Sequence, residues 1–452
     1  MFERMLGSGS VRQITLGGMT ALAIYVAGAG LTACAQLLVA RVVGAETFGI
    51  YSYVLAWVTV LAYLSALGFD IALLRFIPAY RAQQAWALLR GVARYAQRRM
   101  AAASALVVAT GATAVMLSSA EMSPELRTTF LIGFVLVPIW ALLWIRSSIG
   151  RAFGGVLSAI GPDRVARDGC LICLVVLMSA VLKWHLDAPL VMAATVVSTT
   201  VALALASLAV RRLRPQHLDA VAPCYDAPAW RKIILPLMTI TAAEAMLNRG
   251  GVLALGWTGA AREAGIYAVV FNISFLVALP RTAANTLLAP SISDLFVRNQ
   301  HHQLQSLLAR MALWTFCGAA GCAIAVAVIA EPLLAWFGRG YEAGVPALRI
   351  LLIGQVIAAS CGSQLSIMTM TGCERAAAVL LVVGAVVNVL LSTVLVRFAG
   401  LTGAGIATML TLIAWNVAMA IFIWHRLRLL PGPVFLLQAL LKGHVVAGSP
   451  TM

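Results

Sequence analysis

Apolar residues in this chain come in long continuous runs, broken by short charged segments, rather than at helical or alternating spacing. A helix rises about 1.5 Å per residue, so crossing about 30 Å of hydrocarbon takes roughly 20 residues. The runs between charges cover 13–40, 47–69, 100–120, 128–145, 169–182, 188–210, 233–257, 264–285, 311–330, 350–373, 376–396 and 398–424. They predict twelve spanning helices. The run 169–182 is short and must extend past Asp168 or Lys183, whose flexible ends can reach the interface. Run 233–257 contains Glu244 and Arg249, and run 264–285 is interrupted by Pro280 and Arg281. The first run is far too long for the 7–15-residue core of a secretory signal, so it reads as an uncleaved span.

Composition makes lipid part of the solvent. Of 452 residues, 62% are hydrophobic and 11% charged, against about a quarter charged in a soluble domain. A disordered chain, a coiled coil, a disulfide-stapled secreted domain and a soluble enzyme are all excluded. The expected fold class is all-α and integral to a membrane. The net charge of +16 is carried by arginines lying mostly between the apolar runs. With the N-terminus in the cytoplasm, 24 basic residues fall on the cytoplasmic side and seven on the other. That asymmetry supports twelve spans with both ends cytoplasmic. No basic stretch with interleaved aromatics stands clear of the runs, so nucleic acid is not an expected partner.

Enzymatic signatures are missing from the sequence. None of its three lysines (Lys183, Lys232, Lys442) follows a glycine, which leaves no phosphate-binding Walker loop, and no His precedes a Glu. Gly28-Ala29-Gly30 imitates a dinucleotide fingerprint but sits mid-span, where glycines allow close helix contact. Cys170 and Cys173 form a CxxC on a helix entering the membrane and read as packing residues. No catalytic residue, cofactor or metal is expected. A membrane-embedded glycosyltransferase or ligase would need paired carboxylates on an outer loop. Glu121 with Glu125 and Glu331 with Glu342 offer pairs, but no outer loop is long enough for a substantial domain.

The runs divide into two sets of six. Residues 211–232 form the most polar linker, giving an N-lobe over 1–214, a cytoplasmic linker over 215–229, a C-lobe over 230–427 and a cytoplasmic tail over 428–452. The halves echo one another. Gly49-Ile50-Tyr51 and Gly265-Ile266-Tyr267 open the second span of each half, followed by Arg75 and Pro78 or by Arg281 and Pro290. An even number of spans per half makes the repeat parallel, related by an axis along the membrane normal.

These residues resemble a known family. Leu37 to Gly44 with Glu46-Thr47-Phe48-Gly49-Ile50-Tyr51 is similar to the first-hairpin signature of bacterial polysaccharide-export flippases, within the multidrug/oligosaccharidyl-lipid/polysaccharide (MOP) superfamily. Asn248-Arg249 looks like the Asp-Arg pair of their seventh helix, and Asn285 to Asp294 like the end of the eighth. Gly338 to Tyr341, Ala347 to Leu352, Asn388 and Gly400 to Thr408 resemble later helices. The resemblance implies two six-helix lobes around a central cavity. It implies as cargo an undecaprenyl-diphosphate-linked oligosaccharide, moved to the outer leaflet for O-antigen, capsule or exopolysaccharide synthesis. The bilayer, glycan polymerase and export proteins would be its partners. One position departs from the pattern: Asn248 stands where the family has an acid, with Glu244 one turn earlier on the same face.

Charges inside the membrane cost at least about 2.5–3.5 kcal/mol and are paired or functional. Arg249 could meet a diphosphate or an interhelical acid, and Glu244 could couple to an ion or hold a salt bridge. Arg281, Asn248 and Asn272 are further candidate cargo contacts, and Arg41 and Arg75 candidate contacts to interfacial phosphate. Tyr51, Trp57 and Tyr63 could stack on sugars or belong to the aromatic belt. A multidrug cation exporter of the same superfamily is the alternative. It would want acids in the N-lobe cavity, and spans one, two, four and six carry none at mid-depth.

Overall fold

The computed structural model describes residues 8–118, 122–215, 218, 220–282, 284, 292, 295, 296, 298 and 300–429, with side chains from residue 27 onward except at 156 and 160. The family-like segment Asn285 to Asp294, Ile292 apart, and the apolar tail 433–441 lie outside the described residues.

The described residues form helices joined by turns and short connectors, with no strand among them, and the apolar runs lie mostly on helix, run 350–373 being broken at 361–363 and run 264–285 ending among residues not described. Eight continuous stretches are long and apolar enough to cross a membrane. That number is smaller than twelve for local reasons. Helix α1 (Ser8–Ala66) carries two runs joined at Gly44, whose φ of 80° is left-handed and breaks the helix without ending it. At the other end of the chain, α14 (Glu374–Leu427) carries two more, broken at Ala399 and Gly400. The fifth run is divided among short helices, and the seventh is diluted by Glu244, Asn248 and Arg249. Large apolar side chains such as Leu117, Trp314 and Phe398 point outward at 82%, 74% and 84% exposure, which only a lipid surround makes tolerable.

The helices group into two compact units, residues 1–269 with 334–343, and residues 270–333 with 344–452. In the first unit, α1 is followed by α2 (Phe69–Ala82), α3 (Trp86–Leu117) and α4 (Pro124–Ala152). Then come α5 (Val156–Gly161), a π-helical turn (Pro162–Ala166), α6 (Arg167–Val176), a second π turn (Leu177–Val181), α7 (Ala188–Leu213) and α8 (Ala227–Trp257). Three starts share one device. Ser123, Asp187 and Asp226 each accept a backbone N–H from three residues on, with a proline in the first turn of the helix that follows.

Helix α4 is the hub, packing against α1, α2, α3 and α7. At one end of the unit a core forms around Phe69, Leu73, Ile77, Leu89, Ile145 and Trp230. Trp230 is fully buried and its indole N–H donates to the Tyr80 hydroxyl at 2.8 Å. The connector before α8 is tied to α3, since the Cys224 N–H donates to the Ala87 carbonyl at 3.0 Å.

In α9 (Ala261–Phe275), Gly265 meets Gly49 of α1 backbone to backbone. A Cβ on Gly265 would overlap the Ala45 carbonyl oxygen and lie 2.8 Å from the Gly49 nitrogen. Small residues at such crossings let membrane helices approach closely.

The second unit contains α10 (His301–Val328), α11 (Ala330–Ala335, entering it up to residue 333), α12 (Val345–Ser360), α13 (Gln364–Met370) and α14. Helix α12 packs on α10 and α14. Gln364 of α13 donates to the Asn416 carbonyl of α14 at 2.8 Å, while the Asn416 amide turns back to the Leu412 carbonyl of its own helix at 2.7 Å. The Asn388 side chain is buried with no hydrogen-bond partner among the described residues.

Candidate functional site

The densest group of membrane-embedded charges and aromatics lies in the first unit, where α1, α4, α6, α7 and α8 meet. It begins with Arg167. The fifth span starts with Pro162 and a π turn, and that turn places Asp163, Arg167 and Asp168 together. π turns inside helices are frequent at functional positions. Arg167 donates to both oxygens of Asp168, at 2.9 and 3.3 Å, and to Asp163 at 3.2 Å. Asp168 is 4% exposed and also accepts from the Thr32 hydroxyl of α1. Gly28, one turn before Thr32, makes this approach possible: a Cβ there would stand 2.8 Å from the Arg164 Cβ. So Gly28 serves close helix contact, while Gly30 faces open space.

An aromatic wall continues from Arg167. Its guanidinium lies 5.5 Å from the centre of the Trp140 ring, a cation–π arrangement. Trp140 is 5.6 Å from Trp144, and Trp144 stacks on Tyr63 at 4.2 Å with 27° between the planes. Twelve residues before Tyr63 on the same helix, Tyr51 is buried with its hydroxyl 3.1 Å from the Thr195 hydroxyl of α7.

Arg249 of α8 completes the group. It lies in the electrostatic field of Tyr63, Tyr51 and Arg167, and it makes no ion pair with a carboxylate among the described residues. The two arginines therefore differ. Arg167 is saturated by two carboxylates, whereas Arg249 is half-buried beside two phenols and a like charge. A guanidinium left this way in an apolar setting is held by water or by an anion. Its planar fork has the geometry that phosphate recognition uses, and Tyr63 and Trp144 cover one ring face of each other while both stay half-buried.

The other candidates are dispersed. Asn248 is exposed, about 100° around the helix from Arg249. Glu244 is half-buried and contributes to the field at Tyr63. Arg41 and Arg75 are exposed. Asn272 and Arg281 are half-buried in the second unit. The sequence reading missed Asp163, Arg167, Asp168, Trp140 and Trp144. A charge count assigns Arg167 to a cytoplasmic segment, and the structure instead sinks it among helices. Available signals were the Asp163–Arg167 spacing of four and the mixed signs beside the shortest apolar run.

Comparison with known proteins agrees with this architecture. Residues 16–155 match the family model described as polysaccharide biosynthesis protein. No curated protein sequence matches. Among solved structures, the chain is similar to the inward-facing conformation of a multidrug resistance MATE family transporter of the MOP superfamily. The two are 15% identical over 92% of this chain and 96% of that one, with a TM-score of 0.70. The outward-facing conformation of a MATE family transporter gives 17% identity, 91% and 94% coverage and a TM-score of 0.66. A MOP superfamily transporter from Pyrococcus furiosus, described as having a binding pocket of reverse polarity that suggests a different function, gives 14% identity, 91% and 94% coverage and a TM-score of 0.60. The fold is that of the MOP superfamily transporters, and the first third of the chain carries the polysaccharide-biosynthesis signature.

Proposed function

We propose that this protein is a flippase that moves a diphosphate-linked lipid oligosaccharide, on an undecaprenyl carrier, from the inner to the outer leaflet of the bacterial inner membrane. The observation that carries this reading is Arg249, a cation inside an apolar run that makes no ion pair among the described residues and lies in the field of Tyr63, which stacks on Trp144. Arg249 takes the diphosphate and the aromatic face takes the first sugar. The lipid tail stays in the bilayer while the head crosses in a polar path. Carrying a bare diphosphate through hydrocarbon would be prohibitive, so a protein cation must travel with it or line its way. The family match over 16–155 supports the same class of cargo. The lobes divide at 215–229, and access alternates between the two leaflets. Both termini lie in the cytoplasm, and the driving force is an ion gradient or consumption of the glycan outside.

The multidrug-exporter reading has one observation in its favour. Asp168 supplies a buried carboxylate and Asp163 a half-buried one in the first half, where the sequence offered none in spans one, two, four and six. Both are held by Arg167, whereas Asp70 of α2 has a buried carboxylate oxygen with no hydrogen-bond partner among the described residues, the kind of group a drug cation needs. Catalysis is not part of the proposal.

The test is extraction of lipids from cells with and without the intact gene, followed by mass spectrometry. Accumulation of one complete lipid-linked repeat unit on deletion supports the proposal and names the glycan. Unchanged lipid pools and unchanged surface glycan, with new sensitivity to cationic drugs, would favour the exporter.

A further inference from the structure

Two opposite charges in the first unit hold the same serine and yet leave each other unpaired. Ser148 of α4 is fully buried. Its hydroxyl donates to the Asp70 backbone carbonyl of α2 and accepts from the Arg151 guanidinium at 2.9 Å. One Asp70 carboxylate oxygen is buried with no hydrogen-bond partner among the described residues, and Arg151 Nε is in the same condition. Those two atoms therefore do not bond to each other.

Asp70 also stands just past a joint. Leu67 and Gly68, between α1 and α2, are both left-handed, with φ of 53° and 74°. A left-handed leucine stores strain, and such residues gather at switch points. A Cβ on Gly68 would lie 2.6 Å from the Met238 nitrogen and 2.8 Å from the Ile234 carbonyl oxygen, on either side of Pro236 in α8. Helix α2 is thus set between α8 at the joint and α4 at Ser148.

The titratable groups around Asp70 are few. From α4 the neighbour is Arg151, and from α1 it is the phenol of Tyr63. Helix α3 brings Tyr95, 6.0 Å from the Phe69 ring, while its Arg94, Arg98 and Arg99 are exposed and Arg90 donates to the Val221 carbonyl. Helix α8 meets the joint at Ile234 to Met238, and no titratable residue lies between Lys232 and Glu244. On α2 itself, Arg75 is exposed.

A bare carboxylate oxygen buried without a partner is costly. Two states relieve that cost. A proton on the oxygen makes Asp70 neutral. Without the proton, Asp70 needs a cation, and Arg151 has an N–H to spare for a charge-assisted bond. A proton requires no cavity, unlike an organic cation, so a buried oxygen can receive it.

We propose that Asp70 is the exchangeable proton site of the transport cycle, with Arg151 as the cation that replaces the proton when it leaves. The proton passes from the Asp70 carboxyl to water on the cytoplasmic side, and Arg151 Nε–H then donates to the oxygen left ionised. That pairing draws α2 toward α4 about the Leu67–Gly68 joint. A proton from the outer side reverses it, and the lipid head moves outward against the proton. This inference rests on the flippase reading and specifies its driving force.

The test uses the full-length chain in proteoliposomes with a fluorescent undecaprenyl-diphosphate-linked sugar, the membrane potential clamped at zero. It reads the distribution of that lipid between leaflets at steady state. A gradient of about one pH unit should enrich the lipid about ten-fold in the leaflet facing the acidic side, the ratio that one exchanged proton sustains. Asp70→Asn should lose the enrichment and leave the lipid evenly distributed, and Asp70→Glu should restore it. Should Asp70→Asn fail to fold, Arg151→Gln carries the same expectation of loss, because it keeps the acid and removes the cation that the ionised form requires. Even distribution by the unmodified protein under the gradient, or enrichment retained in Asp70→Asn, would overturn the proton site and leave the flippase reading standing. Enrichment by a sodium gradient in place of the proton gradient would overturn the proton assignment. Absence of any transfer by the unmodified protein would overturn the flippase reading and this inference with it.

Discussion

Gly49 and Gly265, 216 positions apart in the sequence, lie against each other's backbone. They are the matching glycines of the two Gly-Ile-Tyr triplets, so equivalent positions of the repeat meet.

Replacing either glycine by alanine should force the crossing apart. A Cβ on Gly49 would overlap the Ala261 carbonyl oxygen, and rigid backbone cannot yield as a flexible side chain would. Each change should cost about 1–3 kcal/mol, read as a lower thermal midpoint in detergent. Gly30→Ala, at a position with nothing within 4 Å, should be neutral or slightly stabilising.

Arg167 is a different case. Removing it strands Asp163 and Asp168, the latter almost fully buried. Arg167→Ala should destabilise the protein by about 3–5 kcal/mol. Adding Asp163→Asn and Asp168→Asn to the same chain should restore a large part of the loss. A double-mutant analysis of thermal unfolding checks this, and simple additivity would argue against the pairing.

Tyr63 and Trp144 should act on the sugar and not on the phosphate. Trp144→Ala should weaken handling of a glycan-bearing lipid by about three- to ten-fold, from a stacking contribution near 1 kcal/mol. Handling of the bare lipid diphosphate should be unaffected. Competition between the two lipids for the purified protein measures the difference.

At the end of the unit with Trp230, Tyr80→Phe should cost about 1 kcal/mol through loss of its hydrogen bond. Trp230→Ala should cost about 3–5 kcal/mol by opening a cavity in the core. Chemical denaturation of the detergent-solubilised protein separates the two.

How much of this was legible in the sequence follows from where each constraint acts. Burial in lipid demands continuous apolar runs, so the twelve helices could be placed by counting. Arg249 stood out for the same reason, as a charge inside a run. The acids that saturate Arg167 did not. They sit outside the shortest run, and their burial depends on a π turn and on Thr32, which contacts Asp168 across 136 residues of sequence. Trp144 gave no signal of its own, because only the packing of α4 on α1 brings it onto Tyr63.

The central claim is that Arg249 carries the diphosphate. The most direct measurement reconstitutes the full chain in proteoliposomes and follows transfer of a diphosphate-linked oligosaccharide lipid between leaflets, comparing the unmodified protein with Arg249→Gln. Loss of one charge-assisted contact worth about 1.5–3 kcal/mol should slow transfer at least about ten-fold, with the thermal midpoint unchanged. Equal transfer by both proteins would contradict the account.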